Sequence, residues 1–367
     1  MTGKKTIQNV EWGILAVVLI LAAVGLINLH SAVARPGNGF FTGIVNRQLV
    51  WFCLGFATLT GAAFIRYQLL DRWAWAVWAL GVVLLVGVLF FGRTISGSTR
   101  WIIAGPVRIQ PSEFVKLAVI VALARVYGRT AEEGGLTLAE LLRPFFLVAV
   151  PAGLILVQPD LGTAMLVGLI AGSMTLFAGI RRKDLLGLAT ACALLVPIAW
   201  MNLKDYQKKR IFTFLDPDSD PLGAGYHIIQ SKIAIGSGMV TGKGYMAGTQ
   251  KALAFLPEQH TDFIFSVLAE EWGFLGGVFL LALFLALFAM GMGAAWRSRD
   301  SFGTFLAVGV VSMIFWQVLI NVGMVMGLLP VVGVPLPFIS YGGSSVLTTF
   351  LGVGLLLNVG MRRMLFE

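Results

Sequence analysis

Phe255-Leu-Pro-Glu-Gln-His-Thr-Asp-Phe-Ile-Phe-Ser-Val-Leu-Ala-Glu-Glu-Trp-Gly273 decides how this chain is read. A polar cluster (Glu258, Gln259, His260, Thr261, Asp262) runs straight into an apolar stretch that reaches about Trp296. Glu270 and Glu271 lie inside that stretch, roughly 12 to 13 Å beyond Asp262 at the helical rise of about 1.5 Å per residue. Carboxylates are costly in an apolar segment, so groups at this depth are candidates for function. Asp262 itself stands where a helix begins and where a membrane interface should lie.

The rest of the chain agrees with a membrane setting. Of 367 residues, 57% are hydrophobic and 12% charged, and the mean hydropathy is +0.86. That balance fits a polytopic helical membrane protein and excludes an ordinary soluble domain. Residues 12–32 follow Lys4 and Lys5 but lack a small-residue cleavage site, which predicts a retained first span. Cys53 and Cys192 fit neither a disulfide framework nor a metal spacing, so buried apolar packing is expected of both.

Ten spans are expected, at about 12–32, 47–65, 73–91, 111–127, 142–158, 161–180, 184–201, 263–296, 303–328 and 342–361. The fold class is therefore all-α: one integral membrane domain over 1–367, with about ten transmembrane helices. A large extracytoplasmic loop, about 202–262, separates the seventh from the eighth. The eighth span exceeds the roughly 20 residues that a crossing needs, which predicts tilt or protrusion. An even count puts both termini on one side. Lys4, Lys5, Arg66, Arg72, Arg125, Arg129, Arg143, Arg181, Arg182, Lys183, Arg297, Arg299, Arg362 and Arg363 all fall there, and the charge bias assigns that side to the cytoplasm.

The net charge of +9 does not point to nucleic acid, because the basic residues sit between apolar spans. The far face still carries cations: Arg35, Arg47, Arg93, Arg100 and Arg108, then Lys204, Lys208, Lys209, Arg210, Lys232, Lys243 and Lys251. Solvated charge and an anion site for phosphate are both open readings. Within the long loop, Tyr206–Phe212 reads as a basic helical turn and Asp216–Gly223 as a turn cluster. Tyr226, Ile229 and Ile233 repeat at helical spacing, which predicts a short amphipathic helix at the interface. The glycines that follow (Gly236, Gly238, Gly242, Gly244, Gly248) do not make a phosphate loop: Ser237 replaces its first glycine and Gly244 its Ser/Thr. There is no zinc spacing and no nucleophile elbow.

Each candidate group has a plain alternative. Asp262 can cap a helix, or act as a base whose pKa is set by a helix dipole opposed to desolvation. Glu113 and Lys116 share a helix face, either as a mutually neutral pair or with Lys116 facing a polar cavity. Asp160 opens the sixth span and capping accounts for it. Gly323, Pro330, Pro335, Pro337 and Gly342-Gly343 break the backbone before the last span, either to bend it or to shape a groove.

Together, Gln158-Pro-Asp-Leu-Gly-Thr163, Gly236-Ser-Gly238, Gly242-Lys-Gly244, Leu256–Glu271 and Leu328-Leu-Pro-Val-Val-Gly-Val-Pro-Leu-Pro-Phe-Ile-Ser-Tyr-Gly-Gly-Ser-Ser345 resemble the SEDS (shape, elongation, division and sporulation) family of bacterial cell-wall proteins. Short tails and length resemble its elongation branch more than its division branch. The resemblance implies a peptidoglycan glycosyltransferase that joins lipid II to a nascent glycan strand. It implies a class B penicillin-binding transpeptidase as partner, besides membrane lipid. The family's essential aspartate falls on Asp262, and its fourth-span pair on Glu113 and Lys116. Asp160 matches its polar residue on the short link. Further substrate contacts are expected at Arg47, Arg100, Arg210, Lys243, His260 and Ser340. No cofactor is required by the residues; a divalent cation (Mg or Mn) is an option for the leaving diphosphate, without a metal site in the sequence. A lipid II flippase or transporter, a division-branch paralogue and a non-catalytic scaffold remain alternatives at this stage.

Overall fold

The computed structural model describes residues 11–362 apart from 35–39, 42, 96–97, 105–106, 131–134, 221–222 and 250–259. Lys4, Lys5, Arg35, Lys251, Glu258, Gln259 and Arg363 therefore lie outside the described residues. Long helices follow one another as α1 (Trp12–Val33), α2 (Gly43–Phe64), α3 (Gln68–Phe91), α4 (Pro111–Thr130), α5 (Leu138–Val157), α6 (Leu161–Ala178) and α7 (Arg182–Asn202). Two shorter ones, α8 (Asp205–Leu215) and α9 (Ala224–Ser237), precede α10 (Ile264–Trp296), α11 (Ser301–Val325) and α12 (Gly343–Arg362). Among the described residues, seven of these helices are long and apolar enough to cross a membrane: α1, α3, α5, α6, α10, α11 and α12.

Helix α4 is a long helix that does not need an apolar surface all round. Proline suits its first position, where no intrahelical donor is needed. It packs against α3, α5, α6, α11 and α12 and is buried on most of its surface. Neighbouring helices rather than lipid surround it, so it can carry ionisable side chains at depth. By contrast α7 leaves Leu186 and Met201 exposed, as a lipid-facing helix would.

Sequence reading missed a small antiparallel sheet, β1 (Arg93–Ile95), β2 (Ser98–Ala104) and β3 (Val107–Ile109), ordered β1-β2-β3. Its register pairs Ile103 with Arg108, so β3 feeds directly into α4. Strands this short carry too little alternation to stand out between two apolar spans.

The expected single long span over 263–296 is instead two helices joined at Gly273, whose φ of 65° and ψ of −161° suit glycine alone. The loop after α9 fills that break. Phe274 N–H donates to Met239 O at 2.9 Å and Leu275 N–H to Val240 O at 3.1 Å, while Lys243 N–H and Gly244 N–H reach Glu270 O and Glu271 O at 3.1 and 3.0 Å. A Cβ on Gly242 would collide with the Glu271 carbonyl, and one on Gly238 with that of Ala269. The glycine cluster thus serves close backbone approach rather than phosphate.

The buried face of α9 is also offset from the expected one. Ile228, Ser231 and Ala234 face inward, with Ser231 Oγ donating to Val325 O at 2.7 Å, whereas Ile233 is 46% exposed. Small residues let this helix approach α10 closely. Cys53, expected in apolar packing, is exposed; the Cys192 side chain lies outside the described residues.

Candidate active site

Asp262 sits half-buried in the turn before α10. The N-cap of α10 is Phe263, which supplies no side-chain cap. Irregular backbone between α11 and α12 holds this turn. Ser340 Oγ donates to Thr261 O at 2.7 Å and accepts from Leu336 N–H at 2.8 Å, and Tyr341 N–H donates to His260 O at 3.0 Å. Asn321 Nδ2 donates to Asp262 O at 2.9 Å and to Val334 O at 2.7 Å. Val332, Val334, Leu336, Phe338 and Ile339 of this segment are buried, so non-helical backbone at membrane depth is enclosed by protein. A Cβ at Gly333 would stand 3.2 Å from Asp262 Oδ2, so the carboxylate rests against a bare backbone.

A second cluster forms where α4 and α6 begin. Asp160 caps α6 through Thr163 N–H at 3.2 Å, as expected, and also accepts from Gln110 Nε2 at 2.9 Å. Arg100 Nη1, carried on β2, lies 3.4 Å from its other oxygen. Gln110 N–H in turn donates to Ser344 Oγ at 2.9 Å, which ties this corner to α12.

Arg210 on α8 joins the two clusters. Burial pushes its guanidinium below the ordinary arginine range; Tyr206 opposes that, Arg100 adds to it, and Asp160 and Asp262 both oppose it. The side chain stays cationic under these conditions. It therefore feels both carboxylates at once. Two arginines and two aspartates gathered at one end of the bundle can bind a phosphate-bearing ligand beside a group able to accept a proton.

One turn deeper on α4, Lys116 Nζ donates to both Glu113 oxygens at 2.9 Å. Lys116 is 0% exposed, so the mutually neutral reading describes the pair in this state. His260 is half-buried with its ring 6.0 Å from that of Tyr341. Arg47 stands exposed on the first turns of α2, beside Gln48, whose Nε2 donates to Ser340 O at 3.2 Å. Ser340, expected against substrate, has its hydroxyl engaged by backbone on both sides.

Lys243 is engaged elsewhere: it pairs with Glu270 at 2.6 Å and donates to Thr249 Oγ1 at 2.8 Å. Glu271 accepts from Ser31 Oγ, and His30 Nδ1 meets Tyr245 O–H at 2.5 Å. Burial and Glu271 both push the Tyr245 phenol up. These acids inside the apolar stretch thus fasten α1 and the glycine loop to α10. Gln48, Gln110 and Asn321 escaped sequence reasoning because a neutral amide has no diagnostic spacing. Among the described residues no three His, Cys, Asp or Glu side chains lie together as a metal site.

Such a fold defines a multi-pass helical membrane protein, with two arginines and two aspartates gathered at one end. The sequence model of the FtsW/RodA/SpoVE family, described as a cell cycle protein, matches residues 11–364, and the chain belongs to that family. It is 42% identical to the peptidoglycan glycosyltransferase MrdB of Escherichia coli over 94% of this chain and 93% of that one. Among solved structures, a chain from "Structural coordination of polymerization and crosslinking by a peptidoglycan synthase complex" matches with a TM-score of 0.82 and 34% identity, covering 97% of this chain and 99% of that one. The crystal structure of the rod shape determining protein RodA of Thermus thermophilus matches with a TM-score of 0.71 and 30% identity, over 97% and 98%.

Proposed function

We propose that this chain polymerises lipid II into β-1,4 glycan strands by inverting transfer, with Asp262 as the general base. At the coarser level the chain is a peptidoglycan glycosyltransferase, as its relatives are. In the proposed step the Asp262 carboxylate takes the proton of an acceptor 4-hydroxyl. That oxygen attacks the donor anomeric carbon from the side opposite the leaving group. The bond to undecaprenyl diphosphate breaks, and the diphosphate departs with the electron pair. A diphosphate leaves without a protein acid, so one carboxylate suffices, and arginines stabilise the charge that develops.

The observation that carries this reading is the position of Arg210, half-buried and in electrostatic range of Asp262, Asp160 and Arg100 together. It couples a base to a cationic seat for the leaving group. Arg100 is the second diphosphate contact. Lys116, Glu113 and Asp160 support the seat from behind, and Ser340 and His260 hold the turn that aims Asp262. Arg47 is a peripheral contact, and Lys243, paired with Glu270, holds the glycine loop against α10. A Mg or Mn ion, where one takes part, would be held mainly by the diphosphate with one or two carboxylates, and no step depends on it.

The site faces the extracytoplasmic side and both termini face the cytoplasm of the bacterial plasma membrane. Its role is in cell elongation, where a class B transpeptidase would cross-link the product; the polymerisation and crosslinking named for the similar complex support that pairing. The test presents lipid II in detergent to the purified protein with its transpeptidase partner. Glycan strands are expected there. Their absence, with transport of lipid II across vesicle bilayers by the same preparation, would replace polymerase with flippase.

A further inference from the structure

At the opposite end of α4, about 27 Å from Pro111 by helical rise, lies a feature that the transfer reaction does not use. Arg125 and Arg129 on α4, Arg143 on α5 and Trp75 on α3 line a cavity of about 360 Å³. Arg125 is pinned in place: it pairs with Asp71 at 3.3 Å and its guanidinium lies over the Trp75 ring, 5.9 Å from the centroid. Arg129 reaches the same carboxylate at 3.5 Å. Asp71 is the one acid in contact with these arginines among the described residues, and within those residues it leaves an excess of two positive charges. Glu140, one turn before Arg143, is engaged instead by Thr137, whose backbone N–H and hydroxyl both donate to it at 2.8 Å.

A further observation points to a ligand. Within three residues of the lining in sequence, Trp73, Leu142 and Phe146 are exposed apolar side chains of the kind a membrane interface accommodates. Cations in a pocket, with apolar surface beside them, match a molecule that has a phosphate head and hydrocarbon tails.

We propose that this cavity binds the phosphate of an anionic phospholipid headgroup, at the face remote from Asp262. Trp75 and Arg125 form its fixed wall, while Arg129 and Arg143 close on the phosphate with charge-assisted hydrogen bonds. Occupancy would tie α5 to α3 and α4, which Asp71 already joins by ion pairs.

Native mass spectrometry of the full chain in neutral detergent tests this, with phosphatidylglycerol, phosphatidylcholine of the same tails and inorganic phosphate as probes. The parent should retain phosphatidylglycerol over phosphatidylcholine by about tenfold, the scale of one lost charged hydrogen bond. Inorganic phosphate should not displace it. The double variant Arg129→Gln/Arg143→Gln should lose the preference and keep the parent melting temperature, because both side chains are exposed. Arg182→Gln, which alters an arginine outside the cavity, should keep it. Equal retention by parent and double variant, an equal loss in Arg182→Gln, or displacement by inorganic phosphate would each overturn the assignment.

Discussion

Asn321 and Asp262, 59 residues apart in sequence, are joined by a 2.9 Å hydrogen bond from the asparagine amide to the aspartate carbonyl. The same amide holds Val334 O, so one neutral side chain fixes both the Asp262 turn and the segment facing it. Removing it leaves two carbonyls without their donor, at about 1–3 kcal/mol each for a buried group. Asn321→Ala should therefore lower the melting temperature and reduce kcat with little change in KM for lipid II. A normal kcat in a folded Asn321→Ala protein would show that the turn needs no such anchor.

The break at Gly273 makes a separate prediction. Any Cβ there meets the backbone of Val240 and Gly242, in a conformation that costs a non-glycine residue about 1–3 kcal/mol. Gly273→Ala should release the glycine loop from α10. Limited proteolysis would then cut within 239–249 faster than in the parent, with cutting elsewhere unchanged.

Lys116 and Glu113 form a closed, fully buried ion pair. Breaking one side of such a pair typically costs about 3–5 kcal/mol, while replacing both sides is far milder. Lys116→Met should be poorly stable, and Lys116→Met/Glu113→Leu should regain much of the melting temperature. Activity separates the roles: a stable double variant that polymerises lipid II makes the pair structural, and a stable but inactive one gives it a part in supporting the site.

Arg210 carries the proposed charge stabilisation. Loss of one such donor lowers turnover by about 10²- to 10³-fold in comparable sites. Arg210→Ala should show a fall of that order in polymerisation rate. Arg210→Lys should restore only part of it, since a single ammonium cannot reproduce the planar fork.

Helix starts were the most legible part of the fold. Pro111 and Asp160 mark α4 and α6 because proline at a first position and a capping aspartate act locally, within one turn of their own backbone. Asp262 stands out from the sequence as a charge at the edge of an apolar stretch, whereas Arg210, Arg100 and Asp160 become candidates only through the family resemblance. Geometry then drew those four together but set Lys243 apart, since Glu270 lies closer to it. What stayed hidden depends on contacts remote in sequence: the Asn321 and Gln48 anchors, the docking of the glycine loop into the Gly273 break, and the inward face of α9. That face lies a residue or two away from the one hydrophobic spacing predicts, because α9 turns the small polar Ser231 inward and leaves Ile233 exposed.

The central claim is that the Asp262 carboxylate accepts the proton of the attacking sugar. The most direct measurement is the rate of lipid II polymerisation by purified, partner-bound Asp262→Asn, a near-isosteric change, beside the parent. A positioned base contributes about 10²–10⁴-fold, so the variant should fall by at least that lower bound while keeping the parent melting temperature. Polymerisation at the parent rate by a folded Asp262→Asn protein would contradict the account.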